Sequence, residues 1–386
     1  MISVFQRQKE EAVARKNGRA QLVYSETPFL VYWELTRACD LACRHCRAEA
    51  MAERSAGEMT LEEIQGVLKG IKGFGPRLPH LVLTGGDPLK RPDFFDILDY
   101  ADRLELRLSV APSGTPLLTR EVFQLFRATG VESISLSLDG PNREKHDGFR
   151  GVPGCFDRTV EAARQAREEG LGLQINTLVT AETEGDLPQV YRLVSGLDPM
   201  RWSLFFLIPV GRGHGLKAVS PERGEAIYNW LYDLSREAPF AVATTEAPHF
   251  RRVALTRMKE QGLSWSSVRE TPVGRGFGIR DGNGIMFISH TGDVYPSGFL
   301  PIVAGNVRSS DIAEIYRESE VFKQIRETGG FKGRCGRCEF REICGGSRAR
   351  AFAASGDYLD EDAACSYQPG QAGESAASLQ ESQFLQ

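Results

Sequence analysis

Three of the chain's eight cysteines fall within eight residues, in the stretch Glu34-Leu-Thr-Arg-Ala-Cys39-Asp-Leu-Ala-Cys43-Arg-His-Cys46-Arg47. Intervals of three and then two residues let one loop turn three thiolates toward a single point, the donor set for three corners of a cuboidal iron-sulfur cluster. The fourth iron then takes its ligand from a remote residue or from a small molecule. A zinc knuckle, a disulfide pair with a spare thiol and three buried thiols are the competing readings, since free cysteine often packs as a small hydrophobe. Three at this interval favour metal. A second group, Cys335, Cys338, Cys344 and Cys365, has intervals of two, five and twenty residues and can enclose a metal centre completely, with zinc and iron-sulfur as the alternatives. From Phe331 to Arg350 there are six basic and two acidic residues, a mild complement to an anionic cluster or simply a solvated basic face. Cys155 stands alone and reads as a buried apolar residue.

Other polar groups recur at the ends of apolar runs. Thr84-Gly85-Gly86-Asp87-Pro88 pairs glycines, which let the backbone approach a ligand, with a carboxylate able to take an ammonium group; alone it reads as a turn. Pro112-Ser113-Gly114-Thr115 offers hydroxyls for a ribose or forms a turn. In Ser135-Leu-Ser137-Leu-Asp139 alternation puts the polar residues on one face, where they need partners or a ligand. Arg150 can grip a carboxylate with two parallel bonds, or form a surface ion pair. Gln174 and Asn176 share a face, and Gly211-Arg-Gly213-His214-Gly215 is either a close-approach loop or a flexible connection with a solvated histidine.

The runs that carry these groups alternate in type. Strand-like stretches lie at 28–34, 80–84, 106–111, 131–138, 171–179 and 202–208, separated by helix-like ones near 93–102, 118–128, 156–169, 184–196 and 221–235. Thr60 and Glu63 form a capping box ahead of Leu61, Ile64, Val67, Leu68 and Ile71 at helical spacing. Such alternation implies right-handed crossovers and a parallel sheet. The expected fold is α/β: a partial (β/α)6 TIM-like barrel with reactive groups after each strand, followed by a small C-terminal cysteine-rich iron-sulfur domain. The expected divisions are a polar arm at 1–26, the barrel at 27–236, a bridging region at 237–275, the cysteine-rich domain with a β-hairpin near 284–307 at 276–368, and a disordered tail at 369–386.

Cys39, Cys43 and Cys46, with the aromatic His45 before the third, resemble the signature of the radical SAM superfamily. The resemblance implies a [4Fe-4S] cluster on those three cysteines, with its open iron chelated by the amino and carboxylate groups of exchangeable S-adenosylmethionine (SAM). It further implies that Gly85, Gly86 and Asp87 hold the methionine amino group, although Asp87 is one methylene shorter than the glutamate usual there. Ser137 and Arg150 would take the SAM carboxylate and Asn176 would lie near the methionyl end; read from the residues alone, Ser113 would stand near the ribose or only in a turn, and the loop at 211–215 would lie against the adenine or only connect. The second cysteine group resembles a SPASM domain. Full SPASM domains carry ligands for two clusters, whereas Ser297 and Ser347 stand here where further cysteines are expected, so one auxiliary [4Fe-4S] cluster is implied. The segment Cys344-Gly-Gly-Ser-Arg-Ala-Arg-Ala, with Trp33-Glu34, is closest to the branch containing haem d-type and alternative haem pathway enzymes, and the likeness spans about residues 28–368.

Composition bounds these readings. The 386 residues, 41% of them hydrophobic, can bury a large domain and a smaller one. A formal net charge of −4 argues against a general nucleic-acid binder. No run reaches the roughly eighteen apolar residues of a membrane span and no apolar signal core opens the chain, so a cytoplasmic location is expected. The reading that follows is a radical SAM oxidoreductase acting on a C–H bond of a tetrapyrrole side chain or a ribosomal peptide, served by a reductant such as flavodoxin or ferredoxin. A zinc-stabilised scaffold or a non-catalytic electron-transfer protein would explain the cysteines, but would leave the strand-end groups idle.

Overall fold

A computed structural model describes residues 23–370, so most of the expected N-terminal arm and nearly all of the tail lie outside the described residues. The chain runs β1 (Leu30–Glu34), α1 (Leu61–Gly70), β2 (His80–Thr84), α2 (Phe94–Arg103), β3 (Leu108–Val110), α3 (Arg120–Ala128) and β4 (Val131–Ser137). It continues through α4 (Arg143–Arg150), α5 (Cys155–Glu168), β5 (Gly172–Val179), α6 (Leu187–Gly196), β6 (Arg201–Phe206) and α7 (Pro221–Glu237). These strands are parallel neighbours in chain order, as a succession of crossovers requires. The capping box forms as the sequence predicts: Thr60 Oγ1 accepts from Glu63 N at 3.3 Å, and Glu63 Oε2 accepts from Thr60 N at 2.8 Å. That fixes the start of α1, which buries Ile64, Val67 and Leu68.

The stretch read as a bridge carries more order than its weak periodicity suggests. It holds β7 (Ala241–Thr245), α8 (His249–Glu260) and α9 (Trp265–Glu270). β7 is a seventh parallel strand, in register with β6 from Arg201–Ala241 to Phe205–Thr245. Only Val242 is fully buried along it, which is why no apolar run announces it.

The C-terminal part contains β8 (Arg280–Asp281), β9 (Gly284–Ile288), β10 (Asp293–Tyr295), β11 (Gly305–Asn306), α10 (Ile312–Glu318), α11 (Glu320–Arg326), α12 (Gly333–Arg337) and α13 (Arg348–Ser355). β9 and β10 pair antiparallel as the expected hairpin. β9 also lies parallel to β1, with Leu30 opposite Ile285 and Trp33 opposite Ile288. One sheet therefore runs β11-β10-β9-β1-β2-β3-β4-β5-β6-β7, with β8 paired to β9 off this path.

Alternation sorts the two faces of that sheet. Val31, Trp33, Leu81, Leu83, Ile134, Leu136, Trp202 and Leu204 are buried against the helices. Their neighbours Tyr32, Ser133, Ser135, Ser137, Gln174, Asn176, Arg201 and Phe205 line the other face, and several keep part of their surface open. The lumen is thus polar and accessible, unlike the packed interior of a closed barrel. Among the described residues no helix is long and apolar enough to cross a membrane.

Candidate cofactor site and auxiliary centre

The first cysteine loop leaves the end of β1 and is clamped from three sides. Cys39 N donates to Met51 O at 2.7 Å, and Met51 N returns a bond to Arg37 O at 3.0 Å. Ala42 N and Arg44 N donate to Arg150 O and Phe149 O at 3.1 and 3.0 Å, docking the loop on the end of α4. Across the lumen Arg212 N donates to Cys46 O at 3.1 Å. Gly211 has φ +51°, and a Cβ there would stand 2.6 Å from both Cys46 O and Arg47 O. The loop at 211–215 therefore packs on the cysteine loop itself, while His214 is exposed as expected.

Cys39 and Cys43 are each 7% exposed, and Cys46 packs beside them. Burial pushes the Cys39 thiol up to about 11. Such a group stays protonated at neutral pH unless a cation replaces its proton, so the donor set suits a bound metal centre better than free thiolates. Cys155 joins the same cluster, which its isolation in sequence concealed; its Sγ donates to Gly114 O at 3.6 Å.

Gly85 and Gly86 are glycine for a reason other than ligand approach. A Cβ on Gly85 would lie 2.5 Å from Thr36 O, and one on Gly86 2.4 Å from Ala38 O. Gly86 N and Asp87 N donate to those two carbonyls at 2.8 and 2.7 Å, so the strand end is laced to the cysteine loop. Gly86→Ala should lower the melting temperature and the iron content together; a variant with native values of both would show that the loop can yield.

Asp87 is held from several sides by the protein itself. It is fully buried; Oδ1 accepts from Leu89 N and Ser113 N at 3.2 and 3.4 Å, and Oδ2 accepts from Thr115 Oγ1 at 2.9 Å. With those bonds made it ties two loops together. Ser113 donates to Gly86 O at 2.9 Å and lies 3.5 Å from Cys39 Sγ.

Ser137 and Asn176 are opposite each other in the β4–β5 register, both on the lumen face, and Asn176 Oδ1 accepts from Gln174 Nε2 at 2.8 Å. Arg150 ends α4 with Nη1 3.6 Å from Cys43 Sγ, while Nη2 is ion-paired with Asp139. Asp139 Oδ1 accepts from Leu178 N at 2.8 Å, and Oδ2 lies 3.9 Å from His45 Nε2. Burial pushes the Asp139 carboxyl up, but Arg150 overrides it and holds the group ionised below the usual carboxylate range. Burial takes His45 down to about 4, so its ring is neutral, and it lies tilted at 37° to the Phe149 ring with centroids 5.4 Å apart. Arg150 Nε and His45 Nδ1 are buried without partners, the polar remainder expected where a charged ligand completes the site.

A second constellation crosses from barrel to C-terminal domain. Glu34, 3% exposed at the end of β1, is ion-paired with Arg47 and accepts from His290 Nδ1 at 2.8 Å. The Arg47 guanidinium sits 4.5 Å over the Phe287 ring. At the other side of the seam Glu246, with φ +55°, follows β7 and accepts from Ser347 Oγ. Burial and then the neighbouring Asp281 push its carboxyl well above the usual range. A carboxyl raised in the folded state costs stability once pH climbs past the unfolded value near 4.3. Glu246→Gln should therefore raise the melting temperature relative to the parent by more at pH 7 than at pH 5; an equal difference at the two would contradict the assignment.

Cys335, Cys338, Cys344 and Cys365 line a single cavity together with His249 and Asp362. Burial pushes Cys338 up to about 12, and it raises Cys344 also. Three donors point at sulfur: Arg348 Nη2 and Asp362 N toward Cys335 at 3.6 and 3.5 Å, and Phe340 N toward Cys338 at 3.4 Å. Among the described residues no three His, Cys, Asp or Glu side chains converge tightly enough for one metal ion. Sulfurs on a tetrahedral zinc would stand about 3.8 Å apart, given a Zn–S bond near 2.3 Å. The cysteines ring a space instead, which suits a multi-iron cluster.

The basic excess around this group is cancelled in space. Lys332, Arg334 and Arg350 pair with Asp357, Glu361 and Asp362, acids that follow in sequence and fold back. The two serines at positions where cysteines were expected have other duties: Ser347 caps α13 by accepting from Arg350 N at 3.1 Å, and Ser297 Oγ accepts from Phe299 N at 3.3 Å.

Comparison with known proteins gives the same assignment. Residues 33–194 match the radical SAM superfamily and residues 280–339 match the iron-sulfur cluster-binding domain SPASM. The chain is 39% identical over 349 residues to the AdoMet-dependent heme synthase of Methanosarcina barkeri, covering 90% of this chain and 99% of that protein. It is 27% identical over 354 residues to the pre-heme d1 synthase of Dinoroseobacter shibae, covering 87% and 85%. Streptococcus suis SuiB bound to S-adenosylmethionine shares the fold, with a TM-score of 0.69 at 17% identity over 94% of this chain and 88% of that one. The chain belongs to the radical SAM superfamily, as a SPASM-domain enzyme of the branch that contains the AdoMet-dependent heme synthases.

Proposed function

We propose that this enzyme acts on a side chain of a tetrapyrrole, using a [4Fe-4S] cluster on Cys39, Cys43 and Cys46 and one auxiliary [4Fe-4S] cluster on Cys335, Cys338, Cys344 and Cys365. The observation that carries the substrate reading is 39% identity along nearly the whole length of a heme synthase, against 28% for the PqqA peptide cyclase of Bradyrhizobium diazoefficiens. When bound at the first cluster and reduced, SAM supplies a 5′-deoxyadenosyl radical that takes a hydrogen atom from a substrate C–H bond.

The chain's own residues bind and orient. Arg150, kept charged by Asp139, offers its free Nε edge to the SAM carboxylate, with Ser137 beside it. Asn176 lies across from Ser137 and serves the methionyl end. Backbone at Gly85 and Gly86 presents carbonyls to the amino group, and Ser113 stands near the ribose. Asp87 supports these loops from behind. The substrate enters the lumen between the cysteine loop and the seam, with the hairpin face around His290 and Phe287 covering the mouth. A low-potential donor such as flavodoxin or ferredoxin supplies the electron.

The test is anaerobic reconstitution with iron, sulfide, SAM and dithionite, followed by turnover with a tetrapyrrole deuterated on its side chains. Mass spectrometry should find deuterium in 5′-deoxyadenosine. Label retained in the tetrapyrrole but transferred from a deuterated peptide would reverse the substrate assignment, and loss of SAM cleavage with intact clusters would end the reading altogether.

A further inference from the structure

His249 opens α8, yet it faces the cavity ringed by the second cysteine group. Only 1% of it is exposed. Its ring stacks on Tyr228 of α7, with centroids 5.6 Å apart and planes at 20°, and the Tyr228 hydroxyl lies 3.4 Å from Nδ1. Those contacts fix the orientation of the ring and direct Nε2 the other way. Nε2 comes within 3.2 Å of Asp362 Oδ2, but their alignment leaves the nitrogen without a hydrogen-bond partner. Asp362 is itself engaged, accepting from Ser347 N at 2.7 Å and Arg350 Nη1 at 3.2 Å. A buried ring N–H needs an acceptor, and Cys365 lines the same cavity as the ring.

We propose that His249 donates Nε2–H to the Cys365 thiolate and thereby raises the reduction potential of the auxiliary cluster. This rests on the reading of Cys335, Cys338, Cys344 and Cys365 as that cluster's ligands. A hydrogen bond to a ligating sulfur favours the more negative, reduced state, and such bonds are among the means by which a protein sets cluster potential. Cys335 and Cys338 receive their donors from the C-terminal domain itself. Cys365 would receive its donor from the barrel, four residues past the end of β7. His249 is then a positioning residue that makes the potential of the second centre depend on how the barrel packs against it. The geometry serves either protonation state, because Tyr228 oxygen can donate to a neutral Nδ1 or accept from a protonated one.

The experiment uses the full chain with Cys39, Cys43 and Cys46 changed to alanine, so that only the second centre loads, and follows its reduction by electron paramagnetic resonance during a redox titration. His249→Phe keeps the stack on Tyr228 but removes the donor; it should retain about four irons and titrate at a lower potential than the parent. His249→Gln places an amide N–H near the lost Nε2 and should restore most of the shift. An unchanged potential in His249→Phe overturns the proposal. If that variant fails to hold iron, the decision passes to Tyr228→Phe and His249→Gln: the proposal expects a lower potential in the first and a near-parental one in the second, and identical values in parent and Tyr228→Phe overturn it. A parent chain that binds no iron overturns the cluster reading instead, so the two failures are separable.

Discussion

Cys43→Ala is expected to abolish 5′-deoxyadenosine formation and to take about four of some eight irons from each chain. A cluster on three thiolates has no spare protein ligand, because its remaining corner is kept for the small molecule. Cys43 is also the sulfur nearest Arg150, at 3.6 Å, so its loss removes the link between the iron centre and the group assigned to the SAM carboxylate. The auxiliary centre should survive, since its four cysteines occupy a separate cavity. Cys155→Ala is the matched control. Cys155 shares the buried cluster with Cys39 and Cys43, but its sulfur is committed to Gly114 O. It should keep all its iron and most of its SAM cleavage. Equal iron loss from both variants would mean that Cys155 is a ligand and that the first centre is not a three-thiolate one.

The second large effect is expected at Asp139. Asp139→Ala should destabilise the fold by about 3–5 kcal/mol, the usual consequence of stranding one member of a buried ion pair. Arg150 would be left charged with only a sulfur nearby, and Leu178 N would lose its acceptor. Asp139→Asn keeps the shape and the bond from Leu178 N but not the charge, so it should retain more stability while still weakening SAM binding. Because the folded carboxyl is held below its unfolded value, its contribution is complete above the ordinary carboxylate range and is lost only as pH falls through the folded value. The gap in melting temperature between parent and Asp139→Ala should therefore be flat from pH 6 to 8. Calorimetry and equilibrium binding of SAM are the two measurements; an Asp139→Ala chain with parental stability and affinity would remove Asp139 from the site.

Much of the first centre was legible because its cysteines are local. Three cysteines in eight residues are brought together by one loop, whatever the rest of the chain does. The capping box at Thr60 and Glu63 spans a single helical turn and formed as read. Alternating apolar stretches likewise gave away the strands and helices from β1 to α7 except α4, whose polar stretch buries only His146 and Phe149 and so carries little apolar period. β7 escaped notice since its burial comes from β6 and α7, not from its own apolar content.

What the amino-acid sequence determined by itself was the chemistry available: the two cysteine groups, the order of crossovers, and the polar residues at strand ends. The tertiary structure decided how those polar groups are used. Asp87 turned inward to tie loops together, Asp139 found Arg150 and His45, and the basic residues near the second centre met acids that cancel them. Glu34 found His290, 256 residues away, only because β9 extends the sheet along β1. The physical reason is range. Ligand spacing and helical or strand periodicity are properties of neighbours along the chain, whereas the partner of a buried charge is whichever group the packed fold leaves beside it.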